Sequence, residues 1–536
     1  MSSLPDQDAD QLLNEAIAQH QAGRLRKAQS LYDTVIALQP DNATAWINLG
    51  ATRRALGHMK EAVLALKCAV KIVPEQAGAW FNLGNALTGQ GEWQEASDAF
   101  DKAVQLEPGL IDAYVNWGDA LSRAGKHDTA LDVFRLGLTI SPTHPGLLSN
   151  IGNVLLNLHR TAEALPFLEN AAEAMPNSAV AVRNLANARR LSGDPILALS
   201  LLDPLIKRDP NDANARCIRA FAFFSLGDYA NAWHDYTMRW HTEHHEAVRP
   251  FEQPPWSGQS LRGKTILVWG EQAVGDEIMF GTMLSELQSM GGNIIIETEY
   301  RLVPLFRRAF PQFEVLARTN PPDPNLFSKK IDFQISIGDL GQYLRPKFSS
   351  FDKNQPYLLA DSGQTEVLNN RYSSLAKGRK RVGISWRSGV EHAGIARSLD
   401  CQSLTKLLVR EDIWWLSLQF GNTHDDLTEL EKGSVSIPYV DRKVDPLKSM
   451  DDLAAQIKCL DLVISVANTT VHIAGALGIQ TYALLPHIAD WRWQNEGEKC
   501  NWYPDVTLLR QTRPGEWSSV IERLMGKLNK RGRGSP

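Results

Sequence analysis

Small apolar residues set the pattern of the first half of the chain, and they recur at a single spacing. Prolines stand at Pro40, Pro74, Pro108, Pro142, Pro176 and Pro210, each 34 residues after the last. Gly50, Gly84, Gly118, Gly152, Ala186 and Ala220 keep the same register, as do Ala28, Ala62, Ala96, Ala130, Ala164, Ala198 and Ala232. Another column runs Gly23, Gly57, Gly91, Gly125, His159, Gly193 and Gly227. Independent columns at one period predict an array of helical repeats. Small residues let the two helices of a repeat pack closely. The glycine ends the first helix in a left-handed turn, and the proline closes the second. Seven repeats fit between about Ala9 and Thr242. The last is rich in aromatic residues from Tyr229 to Trp240, which suits a cap packed on the next part of the chain.

After Trp240 the periodicity stops. A histidine- and proline-rich linker is expected over 243–262, and beyond it short apolar runs alternate with helix-length segments. Thr265–Trp269, Asn293–Thr298 and Ile331–Ile337 read as strands of a first α/β domain over 263–375, with a helix from about Glu277 to Met290. The proline-rich Arg318–Lys330 reads as a surface loop. Strands at Val382–Trp386, Trp415–Gln419, Asp461–Val466 and Thr481–Leu485 define a second domain over 376–526, joined to the first through Asp361–Lys380. Residues 1–8 are expected to be disordered and 527–536 to form a solvated basic tail. Leu462–Pro486 carries no formal charge except on His472, but Asn468, Thr469, Thr470 and two glycines divide it. A buried β-α-β unit fits that pattern better than a membrane span.

Composition narrows the function classes. A net charge of only −5 argues against bulk attraction to nucleic acid or anionic lipid. The cysteines, Cys68, Cys217, Cys401, Cys459 and Cys500, are odd in number, widely spaced and free of CxxC pairs. They suit a reducing compartment rather than a disulfide framework or a zinc site. With no apolar signal sequence at the start, a cytoplasmic protein is expected. The cluster His241-Thr242-Glu243-His244-His245 reads as a solvated helix end rather than a metal site, because no further ligands stand at suitable spacing. The only Asp-x-Asp sequences lie at Asp6–Asp10, outside the α/β half, so no metal requirement is expected. Gly270–Gly275 lacks the Gly-Lys-Ser/Thr ending of a P-loop and is not a full GxGxxG turn.

The 34-residue period and its residue types are similar to tetratricopeptide repeats. Asn48, Asn82, Asn116, Asn150 and Asn184 share one place on the first helix of successive repeats. An amide can donate and accept at once, so such a row can hold a peptide backbone whatever its sequence. It resembles the asparagine ladder of O-GlcNAc transferase repeats, although asparagine at this place can also simply serve repeat packing. In the second half, Glu271-Gln272-Ala273-Val274-Gly275-Asp276 and Ser465 through Gly478 resemble motifs of a heptosyltransferase-like catalytic domain. So do Leu485-Pro486, Asp490-Trp491-Arg492-Trp493, Trp502-Tyr503-Pro504 and Arg510-Gln511. The combination looks like the bacterial flagellin glycosyltransferases. The resemblance implies an all-α tetratricopeptide superhelix followed by an α/β GT-B fold of two Rossmann-like domains. It implies a metal-independent enzyme that moves a sugar, such as a CMP-linked nonulosonic acid, to Ser or Thr of a protein such as flagellin. No cofactor is expected beyond the nucleotide sugar itself, and a homodimer stays open. Two other readings also stay open: a repeat adaptor with a degenerate transferase domain, and a transferase acting on lipid-linked or polysaccharide acceptors.

Such chemistry needs an anion site, a clamp for the departing phosphate and a base for the acceptor hydroxyl. Asn468, Thr469, Thr470 and His472 mark a strand end and helix start that suit an anion, or that merely cap the helix. Arg387 and Arg397 are the candidate phosphate clamps, and Gln419 stands at another strand end. Heptosyltransferases commonly carry Asp where this chain has Asn468, which puts a heptose donor in doubt and motivates the adaptor reading. Asp276, counterpart of the base proposed for the heptosyltransferase Gly-Asp motif, is the first choice for the base. Glu271, Glu391 and His392 are alternatives, and an aspartate here can also serve only to cap a helix.

Overall fold

A computed structural model describes residues 4–242, 248–389, 394, 397–433 and 436–531. The chain divides into two compact units, Met1–Ala188 and Arg189–Pro536. In the first unit, helices pair in succession, from Leu4–Gln21 with Leu25–Leu38 to Pro145–Asn157 with Thr161–Ala174. The first helix already starts at Leu4, within the stretch expected to be disordered.

The repeat columns have direct packing reasons. Ala28, Ala62, Ala96, Ala130 and Ala164 are wholly buried. A Cβ added at Gly50 would stand 2.4 Å from Leu66 Cγ, at Gly84 2.6 Å from Phe100 Cε1, and at Gly118 2.2 Å from Phe134 Cε1. The paired helices therefore meet where only glycine fits. Gly23, Gly57, Gly91 and Gly125 take φ between +72° and +83° at the turn between the two helices. His159 adopts φ +58° at the corresponding turn of its own repeat.

The second unit opens with the last repeat helices, Pro195–Arg208, Ala213–Leu226 and Tyr229–Tyr236, and continues into two parallel sheets. The first sheet holds β1 (Thr265–Trp269), β2 (Asn293–Thr298), β3 (Glu314–Ala317) and β4 (Phe333–Ser336), ordered β3-β2-β1-β4. The second holds β5 (Lys380–Ser385), β6 (Ile413–Ser417), β7 (Leu462–Val466), β8 (Thr481–Leu485) and β9 (Val506–Arg510), ordered β6-β5-β7-β8-β9. Every pairing is parallel. The strands are near-continuous apolar runs because helices cover both faces. Repeats followed by paired α/β sheets are the architecture expected from the sequence. Strands β3 and β9 were not expected. The helix expected over Glu277–Met290 starts earlier, at Val274, and is broken into Val274–Gly281 and Leu284–Ser289. At the break the Thr282 hydroxyl donates back to the Met279 carbonyl (2.8 Å).

The aromatic end of the repeats belongs to the core of this second unit. Trp233 is 1% exposed, donates its indole N–H to the Arg345 carbonyl (2.9 Å), and lies on Gly341. Phe224 stacks on Trp491 with ring centroids 4.3 Å apart. The expected linker is also built in. Trp256 is 1% exposed, its backbone N–H donates to the Gln334 carbonyl (2.9 Å), and the Gln334 backbone N–H donates to the Pro254 carbonyl (3.1 Å). His244 and His245 lie outside the described residues. The basic run is helical up to Arg531, in the Ser518–Arg531 helix. No described helix is long and apolar enough to cross a membrane.

Candidate functional site

In each sheet the strand order reverses beside one strand: β1 lies between β2 and β4, and β5 between β6 and β7. In open parallel sheets the crevice beyond the carboxyl ends at such a point is where ligands bind. A cavity of about 330 Å³ lies there, lined from the first sheet by Ala273, Gly275 and Asp276 after β1. The second sheet supplies Ser388, Gly389 and Arg397 after β5 and Phe420 after β6. It also supplies Ala467, Asn468, Thr469 and His472 after β7, and Asp490, Arg492 and Trp493 after β8. A larger hollow of about 600 Å³ opens at the amino ends of β1 and β2, away from these loops.

The two halves touch across this cavity. A Cβ at Gly275 would stand 3.1 Å from His472 Cδ2, so glycine lets the Val274–Gly281 helix start against the Thr469–Ala476 helix. Asp276 sits in the first turn of its helix, and its Oδ2 accepts a long hydrogen bond (3.4 Å) from the Ala273 N–H. Its Oδ1 accepts from Arg492 Nε (2.7 Å) and from Arg492 Nη2. The Arg492 Nη1 donates to Asp490 Oδ1 (2.5 Å). One guanidinium thus holds a carboxylate from each half.

The electrostatics follow from this pairing. Burial would raise the Asp490 carboxyl, but Arg492 and Arg397 together hold it below the usual carboxylate range. Burial would weaken Arg492 as a cation, but Asp276 and Asp490 overcome it, and its pKa is raised. Burial first, then the Arg492 charge, pushes the His472 imidazole down to about 3. His472 is therefore neutral at physiological pH, and its Nδ1 shares a hydrogen bond (3.0 Å) with the Tyr503 hydroxyl. Among the described residues no group of three His, Cys, Asp or Glu comes together to hold a metal ion.

Of the expected site residues, Asp276, Arg397, Asn468, Thr469 and His472 line this cavity, whereas Arg387, Gln419 and Thr470 do not. The Arg387 guanidinium turns to Asp426 (3.0 Å) and to the Asn422 carbonyl. Gln419 spends its amide on the backbone of β5's exit. Its Oε1 accepts from the Trp386 and Arg387 N–H groups (3.0 and 2.7 Å), and its Nε2 donates to the Arg387 and Phe420 carbonyls (both 3.2 Å). Thr470 is 2% exposed and packs inside. Asn468 lines the cavity, yet its amide is fully engaged. Oδ1 accepts from the Thr470 N–H and the Ser465 hydroxyl (both 3.0 Å), and Nδ2 donates to Ser385 Oγ (2.8 Å) and the Arg387 carbonyl (3.2 Å). An aspartate could not make those last two donations, so asparagine here stitches β5 to β7. Glu271 is bound to Arg239 (2.7 and 3.0 Å) and the Gly338 N–H (3.0 Å), away from the cavity. Glu391 and His392 lie outside the described residues. Sequence reasoning passed over Asp490 and Arg492 as site residues. The available signal was an arginine a few residues beyond a strand end, within the Asp-Trp-Arg-Trp run.

In the first unit the five asparagines Asn48, Asn82, Asn116, Asn150 and Asn184 are all half-buried. Asn116 donates to Asn85 Oδ1 (2.8 Å) and Asn184 to Ser149 Oγ (3.2 Å), while the side chains of Asn48, Asn82 and Asn150 make no hydrogen bond among the described residues.

Comparison with known proteins first defines the class of the repeat half. Residues 13–77 and 77–110 match tetratricopeptide repeats, so this part of the chain is a tetratricopeptide-repeat array. The chain is then similar to Protein FlbA of Caulobacter vibrioides, 30% identical over 398 residues, covering 70% of this chain. It spans 66% of the length of that relative. Among solved structures, the MamA protein matches with 25% identity, covering 31% of this chain and 90% of that one, at a TM-score of 0.30. YrrB, described as a tetratricopeptide-repeat protein with an unusual peptide-binding site, matches with 21% identity, covering 34% and 95%, at a TM-score of 0.30.

Proposed function

We propose that this chain is a metal-independent protein O-glycosyltransferase. It moves a sugar from a nucleotide-activated donor to Ser or Thr hydroxyls of a protein held by the repeats. The observation that carries this reading is the cavity at the carboxyl ends of both sheets, where Asp276 faces Arg492 and Arg397 across the divide. The guanidiniums suit a departing phosphate, and a carboxylate on the opposite wall suits an acceptor hydroxyl. The Thr469 hydroxyl, at the start of a helix, adds a donor for the same anion. The structural task of Asn468 removes the motive for an inactive adaptor, since that asparagine need not be the remnant of a lost catalytic group. The resemblance to flagellin glycosyltransferases makes flagellin the proposed acceptor, a CMP-linked nonulosonic acid the proposed donor and the cytoplasm the proposed setting.

The test is intact mass spectrometry of flagellin co-expressed with this chain and a nonulosonic-acid pathway. A discrete mass gain is expected with the wild type, falling about 10²- to 10⁴-fold in rate with Asp276→Ala. Replacing Asn48, Asn82 and Asn116 together by alanine should weaken flagellin capture and leave sugar-nucleotide binding intact. No mass gain while flagellin stays bound would remove this donor. No flagellin binding would remove this acceptor.

A further inference from the structure

The walls of the cavity balance in charge. Asp276 and Asp490 face Arg397 and Arg492, and the neutral His472 adds nothing. Arg492 is shared unequally. Its Nη1 is held by Asp490, two residues away on the same loop, while its Nε and Nη2 both go to Oδ1 of Asp276 on the other half. The side chains are 18% exposed for Arg492 and 12% for Asp276, so the pair is shielded but still reaches the cavity. In this arrangement Oδ1 of the carboxylate proposed as base is held by a guanidinium, and Oδ2 accepts only the long bond from the Ala273 N–H. The planar edge formed by Nε and Nη2 is the part of an arginine that matches two oxygens of a phosphate.

We propose that Arg492 is a donor-operated latch on Asp276. This inference rests on the transferase reading above. When a nucleotide-linked donor enters, its phosphate takes the Nε and Nη2 edge, Asp490 keeps Nη1 in place, and Asp276 is released toward the acceptor. During transfer, the acceptor oxygen bonds to the anomeric carbon and its proton passes to Asp276. The bond from that carbon to the phosphate oxygen breaks, and its electron pair leaves with the phosphate held by Arg492. Asp276 thus regains both oxygens only when a donor is present, and the donor engages before the acceptor reacts. An activated sugar without an anionic leaving group cannot open the latch. Arg397, on the same cavity and close enough for its charge to act on Asp490, is the second cation available to the phosphate.

Crystal structures of the full chain, alone and soaked with CMP or with UDP, test this directly. In the bound state a phosphate oxygen is expected on Arg492 Nε or Nη2, Asp490 still on Nη1, and Asp276 beyond hydrogen-bonding distance of Arg492. A bound nucleotide with the Asp276–Arg492 pair intact overturns the latch and leaves the transferase reading standing. Calorimetric titration adds a measure that does not depend on turnover. Arg492→Gln should weaken CMP or UDP binding by about tenfold or more, and Arg492→Lys should recover only part of it for want of the fork. Unchanged affinity in a folded Arg492→Gln variant also overturns the latch. If the wild type binds neither nucleotide, the nucleotide-donor reading falls, and the latch with it.

Discussion

The repeat unit and the α/β unit hold themselves together by different means. In the repeats the contacts are short-range and steric: Gly50 meets Leu66, Gly84 meets Phe100 and Gly118 meets Phe134, each within one helical hairpin. Ion pairs such as Lys27–Glu15 and Lys67–Glu95 sit in solvent, about half exposed, where such pairs add little. In the α/β unit charges are buried and join elements far apart in sequence. Arg239, 5% exposed, binds Glu271, 1% exposed, and Asp339. Arg249 binds Glu297, and Arg492 binds Asp276. A repeat needs only its neighbours to pack, so its stability is local. The cleft must hold loops from two sheets, and a buried guanidinium that reaches several carboxylates and carbonyls does this at a desolvation cost that only complete pairing offsets.

The comparison can be broken most forcefully at Arg239. Arg239→Met leaves Glu271 buried without its cation, and about 3–5 kcal/mol should be lost in denaturant unfolding of the full chain. A shift no larger than that of an exposed repeat pair would show that the buried network is not what joins the last repeat to the sheets. The steric side is tested by Gly118→Ala. Phe134 is fully buried and cannot swing clear of the new methyl, so a loss of about 1–3 kcal/mol is expected. Hydrogen exchange should show the loosening confined to neighbouring repeats, whereas spread into the α/β unit would contradict local stability.

Smaller effects sharpen the contrast. The His472 imidazole is pushed from 6.5 down to about 3 in the folded protein. Between those values the unfolded chain holds a proton that the folded protein refuses. Stability is therefore whole above the higher value and falls by about 1.4 kcal/mol per pH unit as pH drops below it. His472→Gln should flatten the acid limb of the stability profile by up to one proton, and an unchanged slope would mean the ring is protonated when folded. The smallest effect is expected at His159, the non-glycine member of the left-handed turn column. His159→Gly should relieve about 1 kcal/mol of backbone strain and raise the melting temperature slightly.

Legibility differed between the two regions for the same reason. Gly50, Gly84 and Gly118 announce themselves in the sequence because the contact each permits repeats every 34 residues. In the α/β half, β1, β2, β7 and β8 were readable as apolar runs. Strands β3 and β9, Glu314–Ala317 and Val506–Arg510, were not, each bearing a charge at one end. The strand ends also pointed to loops that line the cavity. They did not show which way each side chain turns, so Arg387 and Gln419 looked like ligands until their bonds to Asp426 and the β5 exit were seen. Arg492 was read only as part of a motif run and not as a site residue, because its partner Asp276 lies 216 residues away.

By itself, then, the sequence determined the repeat array, the α/β character of the rest and the loops that line the cavity. All three follow from periodicity and local pattern, which are properties of neighbouring residues. Only the tertiary structure decided that the last repeat is part of the α/β core, that Asn468 is a stitch, and that one arginine holds carboxylates from both halves. Those outcomes depend on which distant side chains share a low-dielectric space, and there a charge or an amide must be satisfied by whatever the fold brings within reach.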